Sequence, residues 1–167
     1  MIKSFNGKAP KIAESAFVAD SATVIGDVII GENCSIWYGV VIRGDDGPIV
    51  IGDDTNVQDN SVLHCEECGL IVGRGVTIGH GAIVHGKRIG DNVMIGMGSV
   101  SLSGSEIGDN SILGAGALLT QNKLIPQNSV CVGSPCKVVR EVTENDVLHT
   151  KRNAEVYIKL GMEHKAL

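Results

Sequence analysis

Aliphatic residues recur along this chain with a period of six, often with glycine directly behind them. The series runs Ile30-Gly31, Ile36, Ile42, then Ile51-Gly52, Val57, Leu63, then Val72-Gly73, Ile78-Gly79, Val84. One residue is skipped, and it resumes at Ile89-Gly90 and Ile95-Gly96, then Ile107-Gly108, Leu113-Gly114 and Leu119. An amphipathic helix has a period of 3.6 and cannot generate this spacing. A short strand and a sharp turn can, with glycine supplying the backbone freedom of the turn. Three such strands close a triangular coil, and coils stack at the interstrand spacing of about 4.8 Å with aliphatic ladders inside. The pattern predicts five regular coils from about Ile30 to Leu119 and a less regular one before them, around Phe17 to Val28. A β-sandwich is the competing architecture, but its turns fall every ~8–12 residues.

The chain changes character near Thr143. Thr143-Glu144-Asn145-Asp146 reads as a helix N-cap with acidic residues in the first turn. Val147, Ala154 and Ile158 then share one face, and Gly161 is placed to end the helix. The expected fold is an all-β parallel β-helix over residues 1–142, with a C-terminal α-helix within 143–167, from about Thr143 to Leu160, packed along the coil as part of the same domain.

Composition fits such a core. Apolar residues make up 43% of the 167 positions but aromatics only 3%, and there are 22 glycines, so the interior is built of small, similar layers. A net charge of -5 without a Lys/Arg cluster argues against nucleic-acid binding. No apolar run approaches a membrane span, and Met1-Ile2-Lys3-Ser4-Phe5-Asn6 has no hydrophobic signal core, so a cytoplasmic protein is expected. Five unevenly spaced cysteines do not read as a disulfide framework. Cys65-Glu66-Glu67-Cys68 lacks a second C-x-x-C to complete a metal site and reads as a surface turn.

The repeat places the histidines. His64 follows Leu63 and His85 follows Val84, each the third aliphatic of its coil, so the two share one edge a layer apart. His80 follows the second aliphatic, Ile78, and belongs to a different corner. A six-residue strand spans roughly 20 Å, so one chain cannot easily bring all three to one ion. A threefold homotrimer can, by facing the His64/His85 edge of one subunit with the His80 corner of the next. Three neutral imidazoles then leave a fourth tetrahedral position open, as a catalytic zinc requires. Arg43 falls on the His64/His85 edge one coil earlier, followed by Asp45 and Asp46. Gln58 and Asp59 fall on the corner below His80.

Arg43-Gly44-Asp45, Asn56-Val57-Gln58-Asp59-Asn60, His64 and His80-Gly81-Ala82-Ile83-Val84-His85-Gly86 together resemble the γ-class carbonic anhydrase family of hexapeptide-repeat proteins. The likeness runs from about Phe5 to the C-terminal helix. It implies a left-handed coil, metal ligation by His64, His80 and His85 between two subunits, and an Arg43–Asp45 pair across the interface. It also implies that Gln58 orients the reacting water, with Asp59 and Asn56 as polar support. The implied activity is reversible hydration of CO2 to bicarbonate with Zn2+, Fe2+ or Co2+ as cofactor. Well-characterised active members carry a long acidic loop with a glutamate proton shuttle after the first histidine. Here the stretch from His64 to Val72 is short, and Glu67 stands in for that group. An acyl-CoA-dependent acyltransferase and a non-catalytic metal-binding relative are the other functions this repeat accommodates.

Overall fold

Each hexad folds as a short strand and a tight turn, and the strands sort into three parallel stacks. The computed structural model describes residues 1–167. On the first face Phe17–Val18, Ser35–Ile36, Asn56–Val57, Thr77–Ile78, Met94–Ile95 and Ile112–Leu113 stack in register. The second face stacks Val41–Ile42, Val62–Leu63, Ile83–Val84, Val100–Ser101 and Leu118–Leu119. The third stacks Val50–Ile51, Ile71–Val72, Arg88–Ile89, Glu106–Ile107 and Leu124–Ile125. The second residue of each pair points inward, because side chains alternate along a strand. Those inward residues dominate a core cluster of 32 buried hydrophobics.

The solenoid has about seven turns, more than the hexads alone mark out. Ile2–Lys3 runs beside Val24–Ile25, and Lys11–Ile12 beside Ile29–Ile30, although neither segment carries the aliphatic-glycine signature. Ile12 still keeps the period of six with Val18, Val24 and Ile30 and packs against the core, whereas Ile2–Lys3 joins by backbone pairing. At the other end Ser129–Gly133 adds to the first face and pairs antiparallel with Cys136–Glu141. One inward position breaks the aliphatic ladder: Ser101, only 3% exposed, lies between Val84 and Leu119.

The turns explain the Gly and Asn content. At the corner between the third and first faces, Asn33, Asp54, Gly75, Asn92, Asn110 and Asn128 occupy one turn position with φ between 53° and 61°. Among non-glycine residues, Asn and Asp tolerate this left-handed region best. Gly52 is needed for a different reason: a Cβ there would lie 2.8 Å from the carbonyl carbon of Gly73 in the next coil.

The helix spans Glu144–Lys165 and packs on the first face. Its capping box is complete, with the Thr143 hydroxyl accepting from the Asp146 amide at 3.2 Å and the Asp146 carboxylate accepting from the Thr143 amide at 2.7 Å. It does not stop at Leu160. Gly161 is a contact rather than a terminator, since a Cβ there would sit 2.9 Å from the Ser35 Cβ. The last turn continues over Trp37 and Tyr38, where the His164 ring lies 4.9 Å from the Trp37 ring and its Nδ1 is 3.0 Å from the Tyr38 hydroxyl. No helix is long and apolar enough to cross a membrane.

Inward and outward positions of one face have different expected costs. Leu63→Ala empties a fully buried site and should lower the unfolding free energy by about 2–5 kcal/mol in denaturant titrations. Ile83→Ser, at a 44% exposed outward site, should cost the single chain no more than about 0.5 kcal/mol. Alkaline pH gives a second check. Burial pushes the Cys34 thiol from 9.0 up to about 12. The unfolded thiol therefore ionises first, so stability is intact below about pH 8.5 and falls as pH rises towards the folded value. In Cys34→Ala the fall of unfolding free energy over that window should be shallower, by up to about one proton.

Candidate metal centre

At the corner between the second and third faces, the residue that follows each inward aliphatic turns outward. This places Arg43 in register with His64, and His85 one coil further on. His64 Nδ1 and His85 Nε2 face each other at 3.0 Å, with ring centroids 5.0 Å apart. The other nitrogen of each ring is engaged from behind. His64 Nε2 lies 3.1 Å from Asp45 Oδ1, and His85 Nδ1 lies 3.1 Å from Ser103 Oγ. Asp45 also accepts from Arg43 Nη1 at 2.5 Å. Burial pushes the Asp45 carboxyl up, but hydrogen bonds from Arg43 and His64 outweigh it and hold the group below its ordinary value. Within one chain Arg43 thus already meets Asp45.

His80 stands on the corner between the first and second faces. Tyr38, Asp59, His80 and Met97 take the same turn position in successive coils, linked by 2.9 Å bonds from Asn60, Gly81 and Gly98 amides to the carbonyls one coil below. Asp59 Oδ2 is 2.9 Å from His80 Nδ1, and the imidazole is 45% exposed with Nε2 uncommitted. Beneath it lies a buried polar chain. The His80 amide donates to Gln58 Oε1 at 3.2 Å, and Gln58 Nε2 donates to Asn56 Oδ1 at 3.1 Å. Asn56 Nδ2 and the helix residue Asn153 Nδ2 both donate to Thr77 Oγ1 at 2.9 Å. The chain of bonds runs from the C-terminal helix to the backbone of His80.

These residues fit a divalent ion in their donor chemistry. Two imidazole nitrogens converge on one corner, and each ring is oriented by an outer partner, as metal-bound histidines generally are. The third imidazole is oriented by a carboxylate but stands on another corner, and no group of three His, Cys, Asp or Glu side chains within one chain is arranged to hold an ion. Glu67 lies on the exposed loop that lines an open cleft with Asp46, Glu66 and Cys68. Cys65 turns inward and donates to the Gly47 carbonyl at 3.3 Å, while Cys68 is exposed. Burial pushes the Cys65 thiol up, so the C-x-x-C presents no ready thiolate there.

Three polar residues of this region do not stand out in the sequence. Thr77 and Asn153 are ordinary residues of a strand and a helix. Ser103 stands one residue past Leu102, the position in register with His85, so counting along the repeat does not find it.

The solenoid and its turn chemistry are those of a hexapeptide-repeat protein, and the family model described as bacterial transferase hexapeptide (six repeats) matches residues 9–44 and 86–121. A protein named carbonic anhydrase from Geobacillus kaustophilus is 48% identical over all of this chain and 92% of its own length. Gamma carbonic anhydrase 2, mitochondrial, of Arabidopsis thaliana is 38% identical over 94% of this chain, which spans only 59% of that protein. The crystal structure of a hexapeptide transferase family protein from Anaplasma phagocytophilum superposes with a TM-score of 0.92 at 40% identity, covering 96% of this chain and 95% of that one. The chain belongs to the γ-class carbonic anhydrase family of hexapeptide-repeat proteins.

Arg43→Ala deprives Asp45 of its cation and loosens the support of His64. Zn2+ affinity, measured by chelator competition, should fall about 10–100-fold, as for other changes behind a metal ligand. Unchanged affinity together with unchanged assembly by sedimentation would remove Arg43 from the site.

Proposed function

We propose that the chain forms a homotrimer in which His64 and His85 of one subunit and His80 of the next hold Zn2+, or else Fe2+ or Co2+, and that it catalyses the reversible hydration of CO2 to bicarbonate. The observation that carries this reading is the meeting of His64 Nδ1 and His85 Nε2 at 3.0 Å, with His80 left alone on the neighbouring corner. The relatives named carbonic anhydrase supply the reaction. Assembly is supported by the face between the two corners. Its outward row is Val41, Val62, Ile83, Val100 and Leu118, an aliphatic stripe unusual for a solvated sheet. A cyclic trimer would cover it and repeat the metal site three times.

An ion held by three neutral imidazoles supplies Lewis-acid activation of water near neutral pH and leaves one position open. The protein's own groups do the rest. Asp45 and Asp59 fix the rings of His64 and His80. Gln58, 5% exposed and anchored at both ends of its amide, keeps one N–H and one lone pair with which to orient the reacting water. Asn56 holds Gln58, and the exposed carboxylates of Glu67 and Asp46 pass the released proton to buffer.

The rival reading, an acyl-CoA-dependent acyltransferase, draws on the structural relative named as a hexapeptide transferase. Such an enzyme needs one catalytic histidine, and it leaves the supported His64/His85 pair without a role. Isotope exchange between CO2 and bicarbonate, against release of CoA, separates the two; metal binding without either activity would leave a non-catalytic relative.

A site shared between subunits permits rescue. His64→Ala and His80→Ala homotrimers each lack one ligand at every interface. In a mixed trimer, the chain lacking His64 offers His80 to a neighbour that still carries His64 and His85, which completes one site. Co-refolding the two variants should restore tight Zn2+ binding and CO2 hydration to part of the population. Mixed trimers that form but regain neither would overturn the shared site.

A further inference from the structure

We infer that Ser103 is a positioning residue for His85: with an ion in place its hydroxyl accepts a hydrogen bond from His85 Nδ1–H and leaves Nε2 as the metal-facing nitrogen. The inference rests on the metal site proposed above and extends it to a residue outside the motif. His64 and His80 each have a carboxylate behind the ring, Asp45 at 3.1 Å and Asp59 at 2.9 Å. His85 has none, and Ser103 Oγ at 3.1 Å fills that place with a neutral hydroxyl.

The contact is built into the coil. Ser103 lies midway along the turn Ser101–Ser105, which clasps the backbone on both sides of Gly86. The His85 amide donates to the Ser101 carbonyl and the Lys87 amide to the Ser105 carbonyl, both at 2.9 Å. Gly86 lets the turn come this close, since a Cβ there would lie 3.0 Å from both the Ser105 carbonyl oxygen and its hydroxyl. Ser101 and Ser105 are 3% and 2% exposed, so the turn is anchored in the interior at both ends while Ser103 reaches outward to the ring. A turn fixed at two points fixes the hydroxyl, and the hydroxyl, which can donate or accept, holds the tilt of the imidazole. A neutral imidazole carries one proton, so with Nδ1–H donating to Ser103 the Nε2 lone pair is directed at the ion that His64 and His85 would share.

Zn2+ affinity of the intact trimer, measured at one pH by competition with a chromophoric chelator, tests this. Ser103→Ala should bind Zn2+ about 10–100-fold more weakly, and Ser103→Thr, which keeps the hydroxyl, should stay near wild type. Long-range 1H–15N spectra of the Zn2+-loaded protein give a readout that does not depend on activity. They should report His85 protonated on Nδ1 in wild type and Ser103→Thr, and a tautomer mixture in Ser103→Ala. His85→Ala is the control. If it weakens Zn2+ binding while Ser103→Ala stays within twofold of wild type with an unchanged tautomer, the inference is overturned and the metal site stands. If His85→Ala binds Zn2+ as wild type does, the metal reading fails and this inference with it.

Discussion

The stacking of coils at a fixed interstrand spacing is the constraint on which everything else in this molecule depends. Parallel pairing locks each coil to the next through backbone hydrogen bonds, so a turn position in one coil lies directly over the same position in its neighbours. Sequence distance then becomes spatial position. His64 and His85 are 21 residues apart, in register, and touch; Ser103, one residue past the position in register with His85, reaches back to it. The extra residues in the longer coils are absorbed between the second and third faces, by the irregular middle of the strand Val41–Ile51 and by the loop Cys65–Gly69. These insertions bring Asp45 and Glu67 to the corner that carries the histidines. A core of stacked aliphatics with close glycine contacts is stiff, and a stiff corner suits side chains that must meet to within tenths of an ångström.

Polar groups near this core are held in chains of hydrogen bonds, as the low dielectric of an interior demands. The bonds from Asn153 through Thr77, Asn56 and Gln58 to the His80 amide tie the C-terminal helix to the turn at the edge of the first face. The helix is therefore more than a cover for the coil. Its register, fixed by Gly161 against Ser35 and by His164 over Trp37, sets where Asn153 falls.

Much of this was legible in the sequence because a period of six admits few architectures. The corner assignments of His64, His80 and His85 follow from counting hexads, since each histidine keeps a fixed offset from an inward aliphatic. What could not be read has physical causes. Ile2–Lys3 joins by backbone pairing, which leaves no side-chain signature, and Ile12, six residues before Val18, lacks the glycine that marks the other hexads. Gly161 looks like a helix stop because glycine serves both as a C-cap and as a point of close approach, and only packing tells them apart. Ser101 sits where the pattern asks for an aliphatic, and its neighbour Ser103 is invisible to a search for charged or metal-binding residues. Which nitrogen of each imidazole is committed depends on side-chain geometry that spacing does not encode.

The same coil serves transferases and lyases, so the fold by itself is neutral about chemistry. The corners are not neutral. A turn in a β-helix needs a residue that tolerates left-handed φ, and Asn, Asp or Gly satisfies it; nothing in turn geometry asks for histidine. In the first-to-second corner ladder only one coil places His between two glycines, and it is the coil whose lower neighbour is Asp59. On the other edge the ladder is Arg43, His64, His85, again with an aspartate behind the first ring. An exposed imidazole gains little stability from a carboxylate partner, because solvent screens the pair. Outer partners matter most when the opposite nitrogen has a lone pair to direct. That two adjacent coils hold three imidazoles, each by one ring nitrogen, is therefore better explained by what the free nitrogens bind than by any contribution to folding.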